Sequence, residues 1–178
     1  MNILICGLGS IGLRHLRILR KLNVNKIYAY RTGKATLEFS GEKDDKPDET
    51  FTNLSDVLDA GIDAALITNP TSMHIETAQI IAERKIPLFI EKPLSNNLDG
   101  IEKLSATVSD NDVPILVGYN LVFHPAILRI QDLLKNNKIG KIISAKAHWG
   151  TYMPGWHPWE DYRKTYASIR KQGGGAVL

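Results

Sequence analysis

Asn2-Ile3-Leu4-Ile5-Cys6-Gly7-Leu8-Gly9-Ser10-Ile11-Gly12 is the stretch on which the fold turns. Asn2 to Cys6 is a short continuous apolar run ending in glycine, the pattern of a strand buried on both faces. Gly7 to Gly12 reads G-x-G-x-x-G. Gly7 permits a tight turn out of the strand, Gly9 has no side chain to hold off a diphosphate, and Gly12 lets a helix pack closely on the sheet. From Ser10 to Leu22 the apolar residues Ile11, Leu13, Leu16, Ile18, Leu19 and Leu22 recur at helical spacing, with Arg14, Arg17, Arg20 and Lys21 on the other side. The start of that helix offers the unpaired N–H groups of Ser10, Ile11 and Gly12, together with the positive end of its dipole, to an anion. Lys26 to Tyr30 reads as the next strand. With no hairpin signal between the two strands, a right-handed parallel crossover is expected. The hexapeptide alone is a weak signal. Between a buried strand and an amphipathic helix it points to dinucleotide binding.

The end of the second strand bears on the form of the dinucleotide. A site for NAD places an acid about 20 residues after the glycines, to accept from the ribose 2′-hydroxyl. Here Tyr30, Arg31, Thr32 and Lys34 stand there, and no acid occurs before Glu38. A cation and a hydroxyl suit a 2′-phosphate, so NADP is the expected cofactor, held by Arg31 and Thr32, with NAD as the alternative.

Further along, Ala64 to Ile67, Pro87 to Ile90 and Pro114 to Tyr119 read as strands. Ser72 to Arg84 and Leu98 to Val108 read as helices, and Asn53 or Ser55 as the cap of a short helix through Leu58. Gly41 to Thr50 is dominated by charge and reads as a solvated loop. This alternation predicts an α/β fold, a doubly wound parallel Rossmann sheet over residues 1–119. The style then changes. Pro125 to Asn136 reads as a helix, and Lys141 to Trp149 alternates sides as a half-exposed strand does. Tyr152 to Tyr166 is aromatic and irregular, and Gly173-Gly174-Gly175 leads into apolar residues like the start of another element. Residues 120–178 therefore read as the beginning of an incomplete α+β substrate domain.

The composition fits such a protein. Of 178 residues, 43% are hydrophobic and 23% charged, with a net charge of +3. The basic residues are spread along the chain, and no concentrated basic face for nucleic acid is expected. A single cysteine, Cys6, excludes an internal disulfide and reads as core rather than as a reactive thiol. No Cys/His cluster has zinc-ligand spacing, so no metal is expected. No apolar run approaches the ~20 residues that cross a bilayer, and no basic leader precedes the first strand, so a cytoplasmic, membrane-free protein is expected.

Two more segments fall just after strands, where open α/β sheets place ligands: Thr68-Asn69-Pro70-Thr71-Ser72-Met73-His74 and Glu91-Lys92-Pro93. With the glycine turn, Gly118-Tyr119-Asn120 and Gly173-Gly174-Gly175, they resemble the glucose–fructose oxidoreductase / inositol dehydrogenase (Gfo/Idh/MocA) family over essentially the whole chain. The Glu-Lys-Pro element is the most specific of these motifs. The resemblance implies hydride transfer between a nicotinamide and a CH–OH carbon of a sugar, cyclitol or related polyol. It implies that Lys92 is the catalytic residue at the substrate hydroxyl, where an amine exchanges a proton as the alcohol becomes a ketone. Glu91 would line the nicotinamide pocket and Pro93 would follow a cis peptide bond. Asn69 would lie near the nicotinamide ribose, Pro70 and His74 at the edge of the cofactor cleft, and Asn120 where the two domains meet. Tyr162 and Arg163 would contact substrate, although packing on the second domain's sheet is an equal alternative for them. A bland reading of Lys92 makes it a surface lysine after a strand. His15 reads as packing or phosphate-proximal, and His124, His148 and His157 as ordinary histidines.

The resemblance also implies a histidine, in an Asp-x-x-x-His type stretch, beyond the glycine run. The sequence reaches Leu178 before any such residue, so the chain is expected to be an incomplete enzyme. Association of the complete protein into a homo-oligomer is implied as well. Two competing functions are a non-catalytic dinucleotide sensor, which would not need Lys92, and a methyltransferase, against which Arg31 argues.

Overall fold

All five strand pairings among the described residues are parallel, in the order β3-β2-β1-β4-β5-β6. The computed structural model describes residues 1–33, 46–156 and 161–175. In chain order the sheet elements are β1 (Asn2–Cys6), α1 (Ser10–Lys21), β2 (Lys26–Tyr30), β3 (Glu49–Phe51), α2 (Leu54–Leu58), β4 (Ala64–Ile67), α3 (His74–Glu83), β5 (Leu88–Ile90), α4 (Ile101–Asp110) and β6 (Ile115–Val117). This is the doubly wound arrangement, whose strand order reverses between β1 and β4 and opens a crevice at their carboxyl ends.

Alternation along β1 builds the two layers. Leu4 and Cys6 face a core shared with Val57 of α2, Ala78 and Ile81 of α3 and Leu104 of α4. Ile5 faces the other way, with Leu8, Leu16 of α1, Ile27 and Ala29. Cys6 is fully buried, and burial pushes its thiol far above the usual range, which makes it core.

Three expectations change. The loop over 41–50 yields β3 at its end, a short edge strand paired with β2 in the register Tyr28 to Glu49 and Tyr30 to Phe51. Its charged, half-wet sequence is what an edge tolerates. The helix expected from Ser72 begins instead as a 3₁₀ turn over Thr71–Met73 and becomes α-helical at His74. Lys141 to Trp149 forms no strand, since no partner among the described residues pairs with it. Alternation alone leaves its backbone groups to water. The short helix α2 is capped as expected, with the Asn53 side chain accepting from the Ser55 N–H at 2.9 Å.

The chain divides into two compact units, Met1–Gly118 with the described residues from Tyr166 on, and Tyr119–Thr165. The second unit holds α5 (Pro125–Lys135) and the single turn α6 (Met153–Trp156). None of its described residues is buried.

Candidate functional site

The turn after β1 is built by exclusion. A Cβ on Gly7 (φ +99°) would lie 2.7 Å from Asn69 Cα, and one on Gly12 would lie 2.1 Å from the Gly7 carbonyl oxygen. Both glycines are therefore required by the packing of the chain against itself. Gly9 is different, because a Cβ there would meet nothing within 4 Å. Gly9 is the N-cap of α1 and makes no side-chain cap, and no acid stands in the first turn. The first helical bond runs from the Leu13 N–H to the Gly9 carbonyl at 2.9 Å. The N–H groups of Ser10, Ile11 and Gly12 thus lack intrahelical partners and have no other partner among the described residues. Three unpaired donors, the positive end of a 12-residue helix and an open space over a bare glycine form a seat for an anion. These residues fit the diphosphate of a dinucleotide.

Thr68, just past β4, holds the turn from behind. Its buried hydroxyl donates to the Gly7 carbonyl at 2.6 Å and lies 3.2 Å from that of Cys6. Nothing near Thr68 in the sequence signals this task, because its partners lie 61 and 62 residues away. Asn69 donates from Nδ2 to Thr77 Oγ1 at 2.9 Å, while its Oδ1 is buried without a partner among the described residues. Pro70 precedes the 3₁₀ turn. His74 is 1% exposed, and its ring nitrogens lie 2.9 Å from the Asn69 carbonyl and 3.0 Å from the Pro93 carbonyl. A neutral imidazole donates from one nitrogen only, so these two acceptors cannot both be served by it. Burial nonetheless wins: it lowers the His74 pKa, against the opposing pull of the Asn69, Pro93 and Leu94 carbonyls and the Glu91 charge. The His74 ring is thus packed where the loop after β4 meets the loop after β5, with a hydrogen bond to one of the two carbonyls.

That second loop carries Glu91-Lys92-Pro93, with a cis bond between Lys92 and Pro93. Glu91 is held at both ends of its carboxylate. His15 Nε2 lies 2.8 Å from Oε1, and the Lys92 N–H donates to Oε2 at 3.1 Å. Burial opposes the Glu91 charge, but the His15 hydrogen bond and charge, with the Lys92 N–H and its amine, hold the carboxyl below its ordinary value. Lys92 is exposed, and its amine makes no hydrogen bond or ion pair among the described residues. The sequence missed the part of His15, though its place four residues after Ile11 puts it on that residue's side of α1. It also missed Tyr166, whose hydroxyl pKa is raised by burial and by the Glu91 charge.

Arg31 and Thr32 follow β2, next to the glycine turn in the sheet order, and the Arg31 N–H donates to the Phe51 carbonyl at 2.9 Å. Lys34 and Glu38 lie outside the described residues. Gly173 (φ +84°) packs so that a Cβ would lie 2.7 Å from Thr71 Cβ and 3.1 Å from Asn96 Cβ, which brings the glycine run onto the loops after β4 and β5. The element expected to follow that run also lies outside the described residues. Asn120, Tyr162 and Arg163 belong to the second unit. There Asn120 opens a 3₁₀ turn, and the Arg163 guanidinium lies 4.7 Å from the centre of the Tyr162 ring and 3.7 Å from Asp161.

A family model described as an oxidoreductase family with an NAD-binding Rossmann fold (GFO_IDH_MocA) matches residues 1–119. The uncharacterized oxidoreductase YrbE of Bacillus subtilis (strain 168) is 31% identical over 137 residues, 76% of this chain and 40% of that protein. The myo-inositol 2-dehydrogenase of Thermotoga maritima is 26% identical over 142 residues, 79% of this chain and 42% of its own. Among solved structures, myo-inositol 2-dehydrogenase from Lactobacillus plantarum superposes with a TM-score of 0.71 at 26% identity, covering 80% of this chain and 43% of that one. The chain spans about two fifths of the length of these relatives. With the family model matched through both the glycine turn and the Glu-Lys-Pro loop, the chain belongs to the GFO_IDH_MocA family of oxidoreductases with an NAD-binding Rossmann fold.

Proposed function

We propose that residues 1–119 are the NAD(P)-binding domain, and 120–178 the beginning of the substrate domain, of an oxidoreductase acting at a CH–OH carbon of a sugar or cyclitol. The observation that carries this reading is the space over Gly9, which the packing of the chain does not require and which lies beside three unpaired N–H groups. The substrate class rests on the resemblance and on the two relatives named as myo-inositol 2-dehydrogenases.

A bound nicotinamide dinucleotide would supply the acceptor or donor of hydride. The chain's own residues bind and orient. Ser10, Ile11 and Gly12 give backbone N–H groups to the diphosphate, with Gly7 and Gly9 keeping the approach open. Arg31 and Thr32 take the 2′-phosphate of NADP. Asn69 offers its unpaired Oδ1 to a ribose hydroxyl, Pro70 and His74 border the cleft, and Glu91 lines the nicotinamide end. The Lys92 amine takes the hydroxyl proton as the alcohol is oxidised and returns it when the carbonyl is reduced. For Asn120 near the nicotinamide, and for Tyr162 and Arg163 at the substrate, the reading rests on the resemblance alone. So does assembly of the complete protein into a homo-oligomer.

Fluorescence titration of the chain with reduced cofactors tests the assignment. NADPH is expected to bind more tightly than NADH, and Arg31→Ala to weaken NADPH by about tenfold while sparing NADH, the loss of one charge-assisted contact. Tighter binding of NADH by the unaltered chain would contradict the NADP assignment.

A further inference from the structure

We propose that His15 is a positioning residue, which holds the Glu91 carboxylate and through it the Glu91–Pro93 loop in the shape that receives the nicotinamide end of the cofactor. The inference rests on the dinucleotide reading above and adds a residue to which that reading gives no task. His15 stands on α1, the helix whose first turn forms the anion seat, and Glu91 stands 76 residues on, past β5. In the sheet β4 lies between β1 and β5, so the contact spans the crevice where the strand order reverses.

The pair is held in place. The side chains of His15 and Glu91 are only 18% and 14% exposed, and their polar atoms lie 2.8 Å apart. The His15 ring meets the Phe89 ring edge-on, with centroids 5.2 Å apart. Phe89 in turn fills the place where a Cβ on Gly118 would sit 2.8 Å away. Packing therefore fixes the imidazole plane and leaves Nε2 aimed at Oε1. An ionised carboxylate only accepts, so Nε2 carries the proton and donates. The second carboxylate oxygen accepts from the Lys92 N–H, and His15 thus acts on the backbone of the residue assigned to proton transfer through one intervening carboxylate. Removing the donor leaves a largely buried carboxylate with one partner fewer, and such a group moves or takes up a proton.

His15→Phe keeps the ring contact and removes the donor, and His15→Gln keeps a donor of similar reach. Two cofactor-free readouts come first. In His15→Phe the Glu91 carboxyl, followed by carbon NMR, is expected to titrate at higher pH than in the unaltered chain, and the Lys92 amide to exchange faster. His15→Gln is expected to restore both. The binding readout compares NADPH with 2′-phospho-ADP-ribose, which lacks the nicotinamide ring. His15→Phe is expected to weaken NADPH about tenfold and to leave the truncated ligand within twofold. An unmoved Glu91 titration, or equal weakening of both ligands, would overturn the inference, the latter because it marks a general defect in α1. If the unaltered chain bound neither ligand, the dinucleotide reading would fall. The titration and exchange results would then decide alone whether His15 positions the loop.

Discussion

A methyl group placed on Gly7 or Gly12 of the turn after β1 meets a neighbour and one placed on Gly9 meets none, and that difference separates folding from binding. On Gly12 it would lie 2.1 Å from the Gly7 carbonyl oxygen, so Gly12→Ala is expected to cost about 1–3 kcal/mol in urea unfolding. On Gly9 it would meet nothing, and the backbone there (φ −73°, ψ −170°) suits a capping residue. Gly9→Asp is therefore expected to leave stability unchanged or raised by a few tenths of a kcal/mol, while abolishing NADPH binding, because its carboxylate fills the anion seat. A Gly9→Asp chain that bound normally would contradict the seat. His74 gives a pH dependence. Its folded pKa lies below the ordinary 6.5 because burial favours the neutral ring, so the unfolded chain takes up the proton first as pH falls. Its contribution is complete above about pH 6.5 and is lost as pH falls through the folded value. The urea midpoint is expected to drop as the pH falls below about 6.5, with a smaller drop in His74→Gln. Equal drops in both proteins would show that other groups account for it. The glycine turn was legible in the sequence because its spacing is local and Gly12 packs on the Gly7 carbonyl, although Gly7 also meets Asn69 of a distant loop. Thr68 and His15 were not, since their tasks exist only once strands far apart in the chain pair side by side.

Among the elements, the long periodic ones were readable and the short edge was not. α1 shows its two sides plainly, and β1 from Ile3 on and the whole of β4 are apolar, as strands covered on both faces are. β3 has three residues, of which only Phe51 is partly buried, and its place depends on an anchor outside it. The Asp48 carboxylate accepts from the Ile27 N–H at 2.7 Å and from Arg20 at 3.0 Å, while Arg20 also donates to the Lys46 carbonyl at 2.9 Å. These bonds hold the Asp48 carboxyl below its ordinary pKa despite the opposing effect of burial. Asp48→Ala is expected to cost about 1–2 kcal/mol in chemical unfolding and to speed amide exchange at Ile27. A cost below about 0.3 kcal/mol would show that β3 is held by its ladder alone. The stretch over 141–149 teaches the converse. Its alternation is plain, yet a strand is a relation between two segments, and no described residue supplies the second.

For the molecule as a whole, the first unit is a six-stranded parallel sheet with a core on each face, and the second buries none of its described residues. Ile127, Leu128, Ile130 and Leu134 of α5 are between 36% and 51% exposed, so the stability of the chain resides in the sheet. No helix among the described residues is long and apolar enough to cross a membrane. The start of α1 is the location on which cofactor binding depends. Titrating the nitrogen-labelled chain with NADPH and following its backbone amides tests that location directly. Saturable shifts centred on Ser10, Ile11 and Gly12, with further shifts at Arg31, Asn69 and Lys92, are the predicted result. Shifts confined to the surface between α3 and α4, or none that saturate, would contradict it.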